Sequence, residues 1–295
     1  MIRQTTTLGG DASDVVVAKT AHGLAKFTSR SVPIPDEDAF AAIKAGLDSL
    51  PPNTKMILNS GEFYATGYGP GNFELISRFF EQYPNYADRA FLSVKGGHQP
   101  YKLFPADSSP ENLRRSVDQC NSSLRGKKVI DLFQCARVDP NYPIEDTIKI
   151  LKGFVDEGKF KYMVAPIAAV EIEVSLWSYT QETKDDGDHR RNFTRFKEKN
   201  MRQNLAMLDA LKAIASKKGV NPAQLTIAWV NARGPHVIPL PRSSNIKRTL
   251  ENLEGGNVEL SAEELAEIDA VMDEHEVKGG RYVDEVPNTV LGLWG

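Results

Sequence analysis

Cysteine is nearly absent from this 295-residue chain, which holds only Cys120 and Cys135. Two cysteines are too few for a disulfide framework, and they lack metal-ligand spacing, so reduced thiols are expected. The five histidines (His22, His98, His189, His236 and His275) are scattered without the spacing of a metal site. Excess positive charge is also lacking. The formal net charge is -3, which provides no basic field for phosphate backbones, so nucleic acid is not an expected partner. No apolar run is long enough to cross a bilayer, and Met1 to Asp14 lacks the apolar core of a signal peptide. A soluble protein of the cytoplasm, with the nucleus also open, is the expectation. No G-x-G-x-x-G follows the first strand-like run, which counts against a Rossmann dinucleotide fold.

What is present is a pair of apolar runs that end in polar residues. Met56-Ile57-Leu58 leads into Asn59-Ser60-Gly61-Glu62-Phe63-Tyr64, and Ala90-Phe91-Leu92-Ser93-Val94 leads into Lys95-Gly96-Gly97-His98. Short apolar runs bounded by glycine read as buried strands. In parallel α/β proteins the residues just past the strand ends line the active site. A tyrosine and a lysine brought together there make a proton donor, because an ammonium favours the phenolate.

The first half alternates strands with amphipathic helices. Val15 to Ala18 reads as a first strand, and Asp36 as the cap of a helix burying Phe40, Ile43, Leu47 and Leu50. A further helix runs through Leu75, Phe79 and Phe80. Ser109-Pro110-Glu111 opens another, carrying Leu113, Val117, Cys120 and Leu124. Val129 to Phe133 is the next strand. Pro143 to Glu157 is the next helix, with Ile144, Ile148, Leu151 and Val155 inward and Gly158 ending it. This alternation predicts parallel strands.

The pattern then breaks. Phe160 to Met163 and Ala168 to Leu176 both look like strands, yet parallel neighbours need a crossover of roughly a dozen residues or more. Ser178 to Asn200 is polar and holds no strand before a helix containing Leu205, Leu208, Leu211 and Ile214. Regular structure resumes with Pro222 to Arg233, a strand His236 to Pro241, a helix near Asn245 to Leu253 and one opened by the capping box Ser261 and Glu264. At most seven strands are legible.

The order of elements, the segments Asn59 to Tyr64 and Phe91 to Gly97, Gln134-Cys135-Ala136-Arg137-Val138-Asp139-Pro140 and the run Ile238 to Asn252 resemble the aldo-keto reductases. Within them the chain is most similar to the fungal pyridoxal (pyridoxine) reductases of vitamin B6 metabolism. The similarity covers nearly the whole chain, and several separated motifs in the right order make it specific. It implies an α/β fold, the eight-stranded (β/α)8 TIM barrel, as a single domain over residues 1–295. It implies NADPH-dependent reduction of a small-molecule aldehyde, with pyridoxal favoured. A broader aldehyde or ketone reductase and a non-catalytic NADP(H)-binding regulatory protein are the alternatives. It also implies that one crossover helix after Met163 and one strand-and-loop unit around Asp185 and Asp186 are missing here. Either the protein lacks them or the numbering closes over them. The oligomeric state is not legible.

By the same resemblance Tyr64 matches the proton-donating tyrosine and Lys95 its partner lysine. Asn59 stands where an aspartate usually pairs with the lysine, and Ala136 where a histidine usually orients the substrate carbonyl. Gln134 and Cys135 are the polar candidates nearby, and His98 merits attention because it follows Lys95. Arg242, Ser243 and Arg248 place two cations and a hydroxyl beside a helix start, an arrangement suited to a phosphate monoester. With Glu251 and Asn252 they match the positions that hold the adenosine 2'-phosphate and adenine of NADPH. Trp177 follows a strand-like run, where it would stack on a pyridine ring or simply pack. Asp185 to Arg191 reads as a solvated charge cluster.

Overall fold

The computed structural model describes residues 1–102, 106–163 and 193–280. The chain begins with an antiparallel hairpin, β1 (Thr5–Thr7) against β2 (Val16–Ala18). Five parallel strands follow in spatial order β3 (His22–Gly23), β4 (Met56–Gly61), β5 (Ala90–Gly96), β6 (Leu132–Cys135) and β7 (Tyr162–Met163). Val15 to Ala18 is therefore not the first strand of the parallel set. That place belongs to the two-residue β3, too short and too polar at His22 to show a periodic signal.

The helices α1 (Ala25–Thr28), α2 (Asp36–Asp48), α3 (Gly71–Gln82), α4 (Pro110–Leu124) and α5 (Ile144–Asp156) connect these strands. The second half holds α6 (Glu198–Lys218), α7 (Pro222–Asn231), α8 (Ile246–Gly255) and α9 (Ala262–Glu274). Ser109 caps α4 by accepting from the Asn112 amide at 3.3 Å. Ser261 and Glu264 form the expected capping box of α9. Asp36 does not cap α2. Pro35 occupies that position, and Asp36 instead sits in the first turn and grips Arg78 of α3 through both carboxylate oxygens. Val129 does not open the next strand, which is β6 and starts only at Leu132, and Ile144 is exposed rather than inward because α5 turns Thr147, Leu151 and Phe154 to the core.

Strand alternation divides the sheet cleanly. Met56, Leu58, Leu92, Val94 and Phe133 face the helices and join Phe40, Ile43, Leu47, Phe73, Phe79 and Phe80 in the main core. The other face carries Ile57, Phe91 and Leu132 low in the sheet, where Leu8, Ala12 and Val17 from the hairpin cover them. Each fully buried large side chain contributes roughly 1.5–3 kcal/mol, so the hairpin is a stabilising plug for the floor of the sheet. Higher on that face stand Asn59, Gly61, Ser93, Lys95 and Gln134, in register across three strands.

His236 to Pro241 lies beside β3 without forming a regular strand. Ala21 and Gly23 donate their amides to the carbonyls of Pro239 (2.8 Å) and Pro241 (2.9 Å), and Gly23 bridges Arg242 in the parallel sense. Two prolines within six residues remove the amide donors that a full ladder needs. The expected strand Ala168 to Leu176, Trp177, and the cluster Asp185 to Arg191 with His189 lie outside the described residues.

Candidate active site

The polar residues at the upper ends of β4 and β5 meet. Lys95 Nζ donates to Asn59 Oδ1 at 2.7 Å, and Asn59 Nδ2 donates to Ser93 Oγ at 3.3 Å. Asn59 is buried, so the lysine head is oriented by a neutral amide where a carboxylate would supply charge. The same ammonium lies 5.2 Å from the centroid of the Tyr64 ring. Tyr64 is half-buried and leans on the bare backbone of Gly61, where a Cβ would stand 3.3 to 3.4 Å from three of its ring carbons. Phe63 meets the ring edge-on at 5.1 Å, and the Tyr64 carbonyl accepts from the Thr28 hydroxyl. Three elements thus hold one phenol and one ammonium side by side at the strand ends.

The residues beside Ala136 separate by strand parity. Gln134 pairs with Lys95 in register and shares its face, so it is the polar side chain placed next to the lysine. Cys135 points to the helix side. Its thiol lies against Gly97 and is pushed up to about 12 by burial and then by the Glu62 carboxylate charge, which leaves it a neutral thiol rather than a nucleophile. Ala136 offers only a methyl group there.

Glu62 and Arg115 carry no motif that marks them in the sequence. Glu62 is buried, and its carboxylate accepts from the His98 amide (2.7 Å) and from Arg115 (3.2 Å). The position of Glu62 two residues before Tyr64 was the only signal in the sequence.

The second cluster lies at the start of α8. Asn245 caps the helix by accepting from the Arg248 amide at 2.9 Å, leaving first-turn amides directed outward. The guanidinium groups of Arg242 and Arg248 are exposed and make no ion pair among the described residues. The Arg242 stem crosses so close to Gly23 that a Cβ there would lie 2.7 Å from its Cγ. Ser243 is turned inward instead, its Oγ 3.0 Å from His22 Nε2 and 2.8 Å from Thr249 Oγ1. His22 is itself fully buried and its imidazole is pushed down to about 4 by desolvation, against the opposing pull of the Ser243 carbonyl. Glu251 accepts from the Asn221 side chain at 2.7 Å and so ties α8 to the cap of α7. Asn252 is half-buried one position further on. Among the described residues no group of three His, Cys, Asp or Glu side chains is placed to hold a metal ion, and no helix is long and apolar enough to cross a membrane.

The aldo/keto reductase family profile matches residues 20–164 and 164–273. This chain belongs to that family. The two matched stretches meet at residue 164, the junction where strand spacing breaks. A probable pyridoxal reductase 2 from Schizosaccharomyces pombe is 33% identical over 286 residues, which take in 79% of this chain and 86% of that protein. Since 79% of 295 residues is fewer than 286, the relative carries stretches within the match that this chain lacks. Among solved structures, a glycerol dehydrogenase from Gluconobacter oxydans superposes with a TM-score of 0.73 at 20% identity, covering 97% of this chain and 99% of that one. An aldo-keto reductase from Klebsiella pneumoniae in complex with NADPH gives 0.65 at 19% identity, covering 97% and 100%. These solved relatives are (β/α)8 barrels, and the parallel strands described above are part of the same fold.

Proposed function

We propose that this aldo-keto reductase uses NADPH to reduce an aldehyde to an alcohol, with pyridoxal, giving pyridoxine, as the favoured substrate. One observation carries the reading: Lys95 Nζ stands 5.2 Å from the Tyr64 ring centroid at the open ends of parallel strands. NADPH, when bound, supplies a hydride to the carbonyl carbon. Tyr64 supplies the proton that the carbonyl oxygen needs as negative charge develops on it. The Lys95 ammonium stabilises the phenolate left behind, and Asn59 keeps that ammonium aimed at the ring. Gln134 shares that face beside Lys95, where Ala136 offers no donor, and its amide would orient the carbonyl oxygen.

The donors at α8 fit the adenosine 2'-phosphate of this cofactor. Two exposed guanidinium groups flank a helix N-terminus with outward amides, the chemistry that a phosphate monoester requires. Arg242 and Arg248 would hold it, with Asn252 beside them, whereas the Ser243 hydroxyl and the Glu251 carboxylate are engaged within the fold. Pyridoxal is supported by the name of the relative at 33% identity. The test is steady-state turnover with pyridoxal and a panel of aldehydes and ketones, alongside fluorescence titration with NADPH. A higher kcat/KM for pyridoxal than for the panel supports the reading. Tight NADPH binding with no turnover of any carbonyl refutes it.

A further inference from the structure

The catalytic pair rests on two loops from different strands, and a single buried carboxylate joins them. Glu62 follows the last residue of β4 and lies two positions before Tyr64. Its amide donates to the Lys95 carbonyl at 2.9 Å. Its side chain then reaches the other side of the same loop, where Oε1 accepts from the His98 amide at 2.7 Å. Arg115 of α4 closes the ring by donating from Nη2 to Glu62 Oε2 at 3.2 Å and to the His98 carbonyl at 2.5 Å. The remaining guanidinium nitrogens are occupied as well, Nε by Asn112 Oδ1 (2.8 Å) and Nη1 by Gln119 Oε1 (2.7 Å). The backbone at His98 is therefore held at both its amide donor and its carbonyl acceptor by one ion pair.

That backbone needs holding. Lys95 is followed by two glycines, and Gly97 adopts φ +84, so the backbone leaving the lysine has little conformational restraint of its own. Gly97 donates to Ser116 Oγ at 3.0 Å, and the His98 ring packs edge-on against Phe63 at 4.7 Å. Phe63 in turn meets Tyr64. A shift of the His98 peptide is thus transmitted to the phenol through Phe63 and to the ammonium through two glycines. Asn59 holds the Lys95 ammonium through a neutral amide oxygen, a weaker acceptor than a carboxylate.

We propose that Glu62 is a positioning residue for the Tyr64 and Lys95 pair, acting through the His98 peptide that it shares with Arg115. The inference rests on the reductase reading and specifies what keeps its proton donor in place. Positioning errors of about an ångström can cost on the order of a hundredfold in rate, while the cofactor cations Arg242 and Arg248 sit at the far side of β3.

The experiment compares wild type, Glu62→Gln, Glu62→Leu and Arg115→Met in kcat, NADPH dissociation constant, melting temperature and the solvent deuterium isotope effect on single-turnover reduction of pyridoxal. Glu62→Leu removes the acceptor of the His98 amide, so kcat should fall about tenfold or more while NADPH affinity stays within about twofold. The isotope effect should rise above that of wild type as proton delivery becomes slower. Glu62→Gln keeps a carbonyl oxygen for the His98 amide and should recover most of kcat. Arg115→Met should fall between the two. An active wild type with unchanged kcat in Glu62→Leu overturns the inference. So does a parallel loss of kcat, affinity and melting temperature with an unchanged isotope effect, which marks a purely structural residue. A Glu62→Gln variant as impaired as Glu62→Leu also overturns it. Wild-type protein that binds NADPH and turns over no aldehyde overturns the functional reading and this inference with it.

Discussion

Replacing Tyr64 with Phe removes one hydroxyl and leaves the ring in place. The ring is held by the Gly61 backbone, by Phe63 at 5.1 Å and by the Lys95 ammonium at 5.2 Å, and each of these contacts survives the change. The backbone anchor from Thr28 to the Tyr64 carbonyl is also untouched. The folding cost should therefore stay within about 0.5 kcal/mol, as for partly exposed positions that lose no packing. Catalysis should respond differently. Loss of a positioned general acid lowers rates roughly 10²- to 10⁴-fold, which is about 2.7 to 5.5 kcal/mol of barrier at 1.36 kcal/mol per tenfold. The loss should fall on kcat and on kcat/KM alike, because the proton is transferred only as the transition state forms. Steady-state pyridoxal reduction, NADPH fluorescence titration and thermal melting of the variant give the three numbers needed. Retention of more than about a tenth of wild-type kcat, well short of the hundredfold minimum for a general acid, would refute the assignment of Tyr64.

Four further outcomes are expected. Arg248→Ala should weaken NADPH roughly tenfold and leave NADH nearly unchanged, since one charge-assisted hydrogen bond to the 2'-phosphate is lost; dissociation constants at fixed ionic strength check this, and equal weakening of both cofactors would assign Arg248 to the fold. His22 should make stability pH-dependent: burial holds its native pKa at about 4, below the ordinary imidazole value of 6.5, so the unfolded chain binds a proton first and stability is lost as pH falls from about 6.5 to about 4. The loss should be about 3 kcal/mol at 1.36 kcal/mol per unit, and urea unfolding of wild type and His22→Asn at pH 7 and pH 4.5 should show the variant with the flatter slope. Gly96→Ala should destabilise by about 1–3 kcal/mol through overpacking, because the new Cβ would stand 2.4 Å from Ser116 Oγ and 2.6 Å from the Phe133 ring; unchanged denaturation midpoints would show that the sheet gives way there. If the chain lacks the helix after Met163 and the unit near Asp185, unpaired strand edges should make it aggregate, and a monodisperse, cooperatively melting protein whose intact mass equals these 295 residues would refute that expectation.

Much was legible in the residues alone because the relevant signals are local. The apolar stripes of α3 and α4 and the capping residues Ser109 and Ser261 encode helices within a few positions, and α8 begins after Asn245 as expected. Met56 to Tyr64 and Ala90 to Lys95 encode strand ends carrying a phenol and an ammonium, and the hydrogen bond from the Lys95 ammonium to the Asn59 side-chain oxygen follows from parallel register. Features without a local pattern were not legible. The short β3 carries no periodicity, whereas the apolar run Val15 to Ala18, which supplies the hairpin strand, has the pattern of a first strand. Ser243 looks like a phosphate ligand in a basic turn, yet burial of His22 draws its hydroxyl inward. Gln134 and Cys135 are adjacent in sequence, and only the pleat decides that one joins Lys95 while the other faces the helices. Glu62 and Arg115 are 53 positions apart, and their union at the His98 peptide exists only once α4 packs against the sheet. Local composition determines which groups lie at strand ends and helix starts. The packing of distant segments decides which of those groups are aimed at one another, because burial leaves each polar atom only the partners that the fold brings within reach.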